Sequence, residues 1–241
     1  MGSRPAAIVK PRRSRPHAWL LLARVSNLPT VWTNVLAGLI VSGASLDAFA
    51  PLASAASLFY TGGMFLNDAC DAGIDARERP DRPIPAGDIA RAEAFAVGAA
   101  LLIAGEAALL MAPHPAPAMV YGAVLAAAIV FYDFRHKQQA YGPVIMGLCR
   151  ALVYVVAAAG AGALGSAVAL PALLMWSYVI AVTEVAKRAG PRAGVVVPLM
   201  IAGIALVDGV MMFSFGPPWT LVAAVTAFLL TLALQRIVPG T

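Results

Sequence analysis

Eight stretches of this chain are apolar over roughly the length of a membrane crossing, and no other feature restricts the fold as strongly. They fall at about 18–42, 48–66, 91–112, 116–133, 143–164, 168–186, 194–214 and 217–238. Crossing a ~30 Å hydrocarbon core takes about 20 residues of helix. Lipid offers no hydrogen-bond partners, so each run must satisfy its own backbone, which predicts helices. Pro and Gly punctuate the gaps, as at Pro113–Pro117, Gly142–Pro143 and Gly216–Pro218. The expected fold is all-α: a polytopic membrane bundle of about eight transmembrane helices, forming one domain over 18–241 behind a basic arm over 1–17. No small-residue cleavage site closes a short leader ahead of the first run.

Composition agrees. The chain is 61% hydrophobic and 12% charged, against roughly 25% charged in a soluble domain. That leaves too few charges to cover a wet surface. Cys70 and Cys149 lie in or beside apolar runs, without metal-ligand spacing, and read as packing residues.

The net charge of +5 does not point to nucleic acid, because the basic residues sit where a membrane protein needs them. Arg4, Lys10, Arg12, Arg13 and Arg15 precede the first run. Arg77, Arg79, Arg82 and Arg91 follow the second, Arg135 and Lys137 the fourth, Lys187, Arg188 and Arg192 the sixth, and Arg236 the eighth. The alternate loops, around 43–47, 112–117, 164–169 and 213–218, contain no Lys or Arg. This is the positive-inside pattern with both termini cytoplasmic, and the arm is expected against anionic headgroups. The Ala-rich composition suggests a bacterial inner membrane.

The most informative stretch is Asn67-Asp68-Ala69-Cys70-Asp71-Ala72-Gly73-Ile74-Asp75, where the second run reaches the cytoplasmic edge. On a continuing helix Asp68, Asp71 and Asp75 stand at i, i+3 and i+7, within about 60° of arc, and Asn67 neighbours Asp71. An ionised Asp deep in a span costs roughly 2.5–3.5 kcal/mol. A position at the interface relieves that cost, and a divalent cation relieves the mutual repulsion. Hard oxygen ligands suit Mg²⁺, which typically takes one or two carboxylates plus substrate phosphates. Three prolines and a glycine then make residues 77–87 an ordered extended or turning loop rather than helix. Its Arg79 and Arg82 either offer guanidinium forks to phosphate oxygens or serve as anchors paired with Glu78 and Asp81.

These residues resemble the UbiA superfamily of intramembrane prenyltransferases. Asn67 to Asp75 fits that family's NDxxDxxxD motif at every specified position, and Arg79-Pro80-Asp81-Arg82-Pro83-Ile84-Pro85-Ala86-Gly87 matches its RPxRPIPxG continuation. Looser matches are Arg24, Asn27 and Asn34 in the first run and Gly147-Leu148-Cys149-Arg150 in the fifth. Cys149-Arg150, together with a depleted second motif, is also similar to a subgroup from bacterial ebo-type gene clusters.

The resemblance implies a helical bundle around a central cavity open toward lipid, binding a prenyl diphosphate through Mg²⁺ and passing the allylic group to a lipophilic acceptor. It implies Asp68, Asp71 and Asp75 as catalytic residues. Asn67, Asp68, Asp71, Asp75 and Glu184 would be metal ligands, and Arg24, Asn27, Arg79, Arg82, Lys137, Arg150 and Lys187 would bind substrate. Membrane lipids are the expected surroundings, with no nucleic acid and no obligate protein partner.

Two departures stand out. The family's second Asp-rich motif is replaced by Thr183-Glu184-Val185-Ala186-Lys187-Arg188, where Glu184 can ligate a metal and Lys187 cannot. Eight runs are present where the family has nine. Arg24 and Arg150 lie inside apolar runs and either face a polar cavity or snorkel to headgroups. Tyr132, Asp133, His136 and Lys137 gather after the fourth run, read first as a solvated loop and second as part of the same mouth. Asp208 and Glu106, each inside a run, have no partner that the sequence identifies.

A CDP-alcohol phosphotransferase is excluded, because Ala72 follows Asp71 where that motif needs Gly. Soluble trans-prenyl synthases are excluded by hydropathy. A non-catalytic carrier or transporter on the same fold stays as the alternative.

Overall fold

A computed structural model of the protein describes residues 13–135 and 141–240. Among these residues there are nine α-helices and no strand. They are α1 (Arg15–Ala23), α2 (Leu28–Ser42), α3 (Phe49–Glu78), α4 (Arg91–Ala108), α5 (Pro115–Arg135), α6 (Gly142–Gly160), α7 (Ala169–Arg188), α8 (Ala193–Phe215) and α9 (Trp219–Gln235). Seven helical segments are long and apolar enough to cross a membrane, and α9 is a further apolar helix of 17 residues. The protein is therefore a multi-pass integral membrane protein, and its helices coincide with the eight apolar runs.

The first run is not one helix, contrary to its continuous appearance in the sequence. Arg24 takes φ 44° and ψ 46°, a left-handed conformation that costs a residue bearing Cβ about 1–2 kcal/mol. A 3₁₀ turn over Val25–Asn27 follows. Pro29 then falls in the first turn of α2, where its missing N–H costs nothing. The break turns Arg24 and Asn27 inward from a segment that hydropathy alone reads as plain span.

The bundle is built around α2, which packs against α3, α6, α8 and α9. Its Val31, Val35 and Leu39 join a core with Leu52, Phe59, Leu102 and Leu125, while Ala37 and Val41 meet Tyr154, Met175 and Met212 in a second core. Helices α3 and α4 approach closely through two glycines. A Cβ on Gly62 would stand 2.9 Å from the Gly98 carbonyl, and one on Gly98 3.0 Å from the Gly62 carbonyl. Small residues permit such contact where lipid provides no hydrophobic drive between helices. Large apolar side chains such as Ile103, Val120, Val195, Val222 and Leu229 point outward, as a lipid-facing surface requires.

Helix α3 has 30 residues, about 45 Å at 1.5 Å per residue, so its last turns outrun the hydrocarbon. There the loop of residues 79–90 folds back as a series of turns, with Gly87 at φ 77° and Ile89 buried. The loop is strapped down at both ends. Arg13 donates to the Asp81 carbonyl at 2.7 Å and to Asp88 at 3.2 Å, and Arg91 donates to the Ala69 carbonyl at 2.8 Å. Arg15 pairs with Glu93. Arg13 and Arg15 of the basic arm thus make protein contacts; Arg4, Lys10 and Arg12 lie outside the described residues.

Candidate active site

A cavity of about 1080 Å³ opens beside the charged end of α3. The α3 residues that line it include Tyr60, Gly63, Met64, Asn67, Asp71, Ile74, Asp75 and Glu78. These recur every three or four positions, one face of a helix. Asp68 falls at the edge of that stripe, about 60° from Asp71 at 100° per residue, and does not line the cavity.

The acidic side chains are buried: Asp68 is 5% exposed, Asp71 4% and Asp75 3%. Arginines accompany them. Arg82, from the folded-back loop, donates to Asp75 at 2.8 Å and to Asp68 at 3.2 Å, and Arg24 donates to Asp68 at 2.9 Å. Asp68 therefore holds two arginines in position, whereas the motif had implied it as a metal and catalytic carboxylate. Arg24, Asn27, Arg79, Arg82 and Arg150 all line the cavity.

Asn27 is fixed from three directions. Its Nδ2 donates to Tyr60 Oη at 3.1 Å and to the Gly240 carbonyl at 3.0 Å, and its Oδ1 accepts from Gln235 at 3.1 Å. Arg150 stacks over the Tyr60 ring at 5.6 Å and donates to Asn34 Oδ1 at 2.8 Å. Behind it, fully buried Asp208 accepts hydrogen bonds from Thr33, Asn34 and Tyr154. Those partners supply what the sequence left unnamed for Asp208. Glu106 packs against Gly122, away from the cavity.

Two expected residues are not brought to the site. On α7 the lining side chains are Val179, Val182, Thr183 and Ala186. Glu184 is rotated about 100° from Thr183, and it pairs with Lys187 at 2.8 Å and Arg188 at 3.2 Å on an exposed face. Neither Glu184 nor Lys187 reaches the cavity, because the inward stripe of α7 passes through the residues beside them. Lys137 and His136 lie outside the described residues.

Polar residues absent from the expected set also line it, among them Tyr60, Tyr132 and Asp133. Tyr60 carries a spacing signal, standing seven positions before Asn67 on the same helical face. Asp133, read first as part of a solvated loop, is 5% exposed and accepts from Asn67 Nδ2 at 3.3 Å. In the last turn of α5, Tyr132 and Asp133 face the cavity while Phe131, Phe134 and Arg135 stay exposed.

Among the described residues no three Asp, Glu, His or Cys side chains are close enough to enclose a metal by themselves. Asn67, Asp71, Asp75 and Asp133 nevertheless share the cavity wall, and the buried Asp133 Oδ2 has no hydrogen-bond partner among the described residues. Two carboxylates plus substrate oxygens is a common Mg²⁺ environment, so this donor set fits that ion. Away from the charges the wall is apolar, formed by Val31, Ala56, Phe59, Leu125, Val153 and Ile204 among others.

Over 96 residues, 39% of this chain and 35% of the relative, the sequence is 40% identical to a digeranylgeranylglyceryl phosphate synthase of Methanopyrus kandleri. Over 91 residues, 37% and 33% of the two chains, it is 41% identical to the synthase of the same name from Methanoculleus marisnigri. The match spans about a third of the length of each relative.

The fold is similar to a solved UbiA homologue from Archaeoglobus fulgidus bound to DMAPP and Mg²⁺, with TM-score 0.59 and 15% identity over 91% of this chain and 86% of that one. It is also similar to an apo UbiA homologue from Aeropyrum pernix K1, with TM-score 0.56 and 16% identity over 91% and 92%. The model of the UbiA prenyltransferase family matches residues 26–239, nearly the whole chain, and the protein belongs to that family.

Proposed function

We propose that the protein transfers a prenyl group from a prenyl diphosphate to a lipophilic acceptor, with Mg²⁺ as cofactor. One observation carries this reading: a single cavity has carboxylates and arginines at its mouth and an apolar wall behind them. A diphosphate needs the first and a prenyl chain the second. Each CH₂ taken out of water contributes ~0.8 kcal/mol, so the tail keeps the donor in the membrane phase while the charged end sets its register in the cavity.

Asn67 and Asp71, with Asp75 beside them on the same face of α3, are the residues that would hold the ion. Bound there, Mg²⁺ would stabilise the negative charge that develops on the leaving diphosphate. Arg24, Arg79, Arg82 and Arg150 reinforce that effect with guanidinium donors. Phe59, Leu125 and Val153 exclude water from the allylic carbon, so an acceptor competes with less hydrolysis. By the distribution of Arg and Lys, the charged mouth faces the cytoplasm.

The test is incubation of the lipid-reconstituted protein with labelled prenyl diphosphates and candidate acceptors, with and without Mg²⁺. Since the relatives are named for digeranylgeranylglyceryl phosphate, geranylgeranylglyceryl phosphate belongs among the acceptors. Metal-dependent product supports the reading. Release of diphosphate without metal, or no release from any donor, defeats it.

A second reading, a carrier of prenyl lipids without turnover, is favoured by α7, which presents Thr183 and Ala186 to the cavity and no carboxylate. Tight, metal-dependent donor binding with no product identifies that outcome.

A further inference from the structure

Asp133 is unusual among the charged groups of the cavity. It sits in the last turn of α5 and is almost wholly buried. One carboxylate oxygen accepts from Asn67, and the other is sealed from solvent without a hydrogen-bond partner among the described residues. Buried carboxylate oxygens are normally satisfied, because desolvation without compensation is costly. Asp68 and Asp75 meet that need through Arg24 and Arg82. The orphan oxygen of Asp133 calls for a partner of another kind, in a cavity that Asp71 also lines.

The hydrogen bond from Asn67 ties Asp133 to the helix that carries Asp71, so oxygen donors from α3 and α5 meet across one edge of the mouth. The part of the wall formed by α7 is different in character. Helix α7 contributes Thr183 and Ala186, and its acid, Glu184, is turned out and neutralised by Lys187 and Arg188. A second cation would find no carboxylate on that wall, while Arg150 already brings a fixed positive charge to the cavity.

We propose that Asp133 joins Asn67 and Asp71 in holding a single divalent cation, and that fixed arginines serve in place of a second one. This rests on the proposed metal-dependent function and goes further in naming a ligand from α5 and a stoichiometry of one. Hard oxygen donors select Mg²⁺ or Mn²⁺, with the remaining positions left for diphosphate oxygens and water.

The experiment is Mn²⁺ binding by the full chain in lipid nanodiscs, with inorganic pyrophosphate present, counted by electron paramagnetic resonance. Expected is one tight Mn²⁺ per chain, with Kd raised at least tenfold in Asp133→Asn and binding abolished in Asp71→Ala. Asp133→Glu, which keeps the charge, should retain most of the affinity, and Asp133→Ser, held to the same tenfold criterion, serves as the test if Asp133→Asn fails to fold. Two tight ions per wild-type chain overturn the proposal, as does wild-type affinity in Asp133→Asn. Loss in Asp71→Ala alone defeats this inference and leaves the metal-dependent reading standing. No Mn²⁺ bound by the wild type defeats both.

Discussion

Arg150 and Asn34 share a hydrogen bond of 2.8 Å that joins the cavity to the centre of the bundle. The Asn34 amide passes on the contact by donating to Asp208 at 2.8 Å, and Thr33 and Tyr154 complete the shell. An arginine inside a span is costly unless it is paired or faces a polar space. Here both conditions hold, and the network fixes where the charge points.

Removing Asp208 should therefore damage both stability and the site. Asp208→Leu leaves three buried donors without an acceptor, and an unsatisfied buried group costs about 1–3 kcal/mol. A loss of roughly 3 kcal/mol or more is expected as a lower melting temperature in detergent, together with weaker pyrophosphate binding. Unchanged melting would show that the network is incidental.

Asp71→Ala should keep the fold and lose the chemistry. Removing an electrostatic stabiliser of a developing charge typically costs about 10²–10³-fold in rate. Metal-dependent diphosphate release is expected to fall at least that far, measured with labelled donor at saturating Mg²⁺. Activity within tenfold of wild type would place the metal elsewhere.

Arg82→Lys should not be conservative. One guanidinium nitrogen reaches both Asp68 and Asp75, and an ammonium on a flexible stem cannot reproduce that bridge while presenting a planar fork to phosphate. Charged hydrogen bonds contribute roughly 1.5–3 kcal/mol, so pyrophosphate affinity should drop about ten- to a hundredfold by calorimetry. Wild-type affinity would reduce Arg82 to a loop anchor.

Glu184→Gln and Lys187→Ala should change the transfer rate by less than about twofold, since exposed ion pairs of this kind contribute little. Steady-state rates with varied Mg²⁺ give the answer. A raised Mg²⁺ requirement in Glu184→Gln would return that residue to the metal site.

Gly98→Val should loosen the contact between α3 and α4. Its branched side chain meets the Gly62 carbonyl and Leu66, and overpacking a close contact costs about 1–3 kcal/mol. Thermal unfolding is the readout, and a variant as stable as wild type would mean the helices separate freely.

The sequence by itself determined the class of fold, the spans and the site's starting point. Hydropathy is additive along the chain, and lipid forces each apolar run to close its own hydrogen bonds, so the helices coincide with the runs. Asn67, Asp71 and Asp75 were legible because they share one helix, where a spacing of four residues is itself a geometry. Only the tertiary structure decided which face of each helix turns to the cavity. In a membrane the lipid is as apolar as the core, so an apolar helix does not announce its inner side, and a rotation of one residue separates Thr183 inside from Glu184 outside. The same packing broke the first run at Arg24, drew Asp133 inward and gave Asp208 its three partners from α2 and α6. Contacts between residues far apart in sequence depend on how helices dock, and no local pattern encodes that.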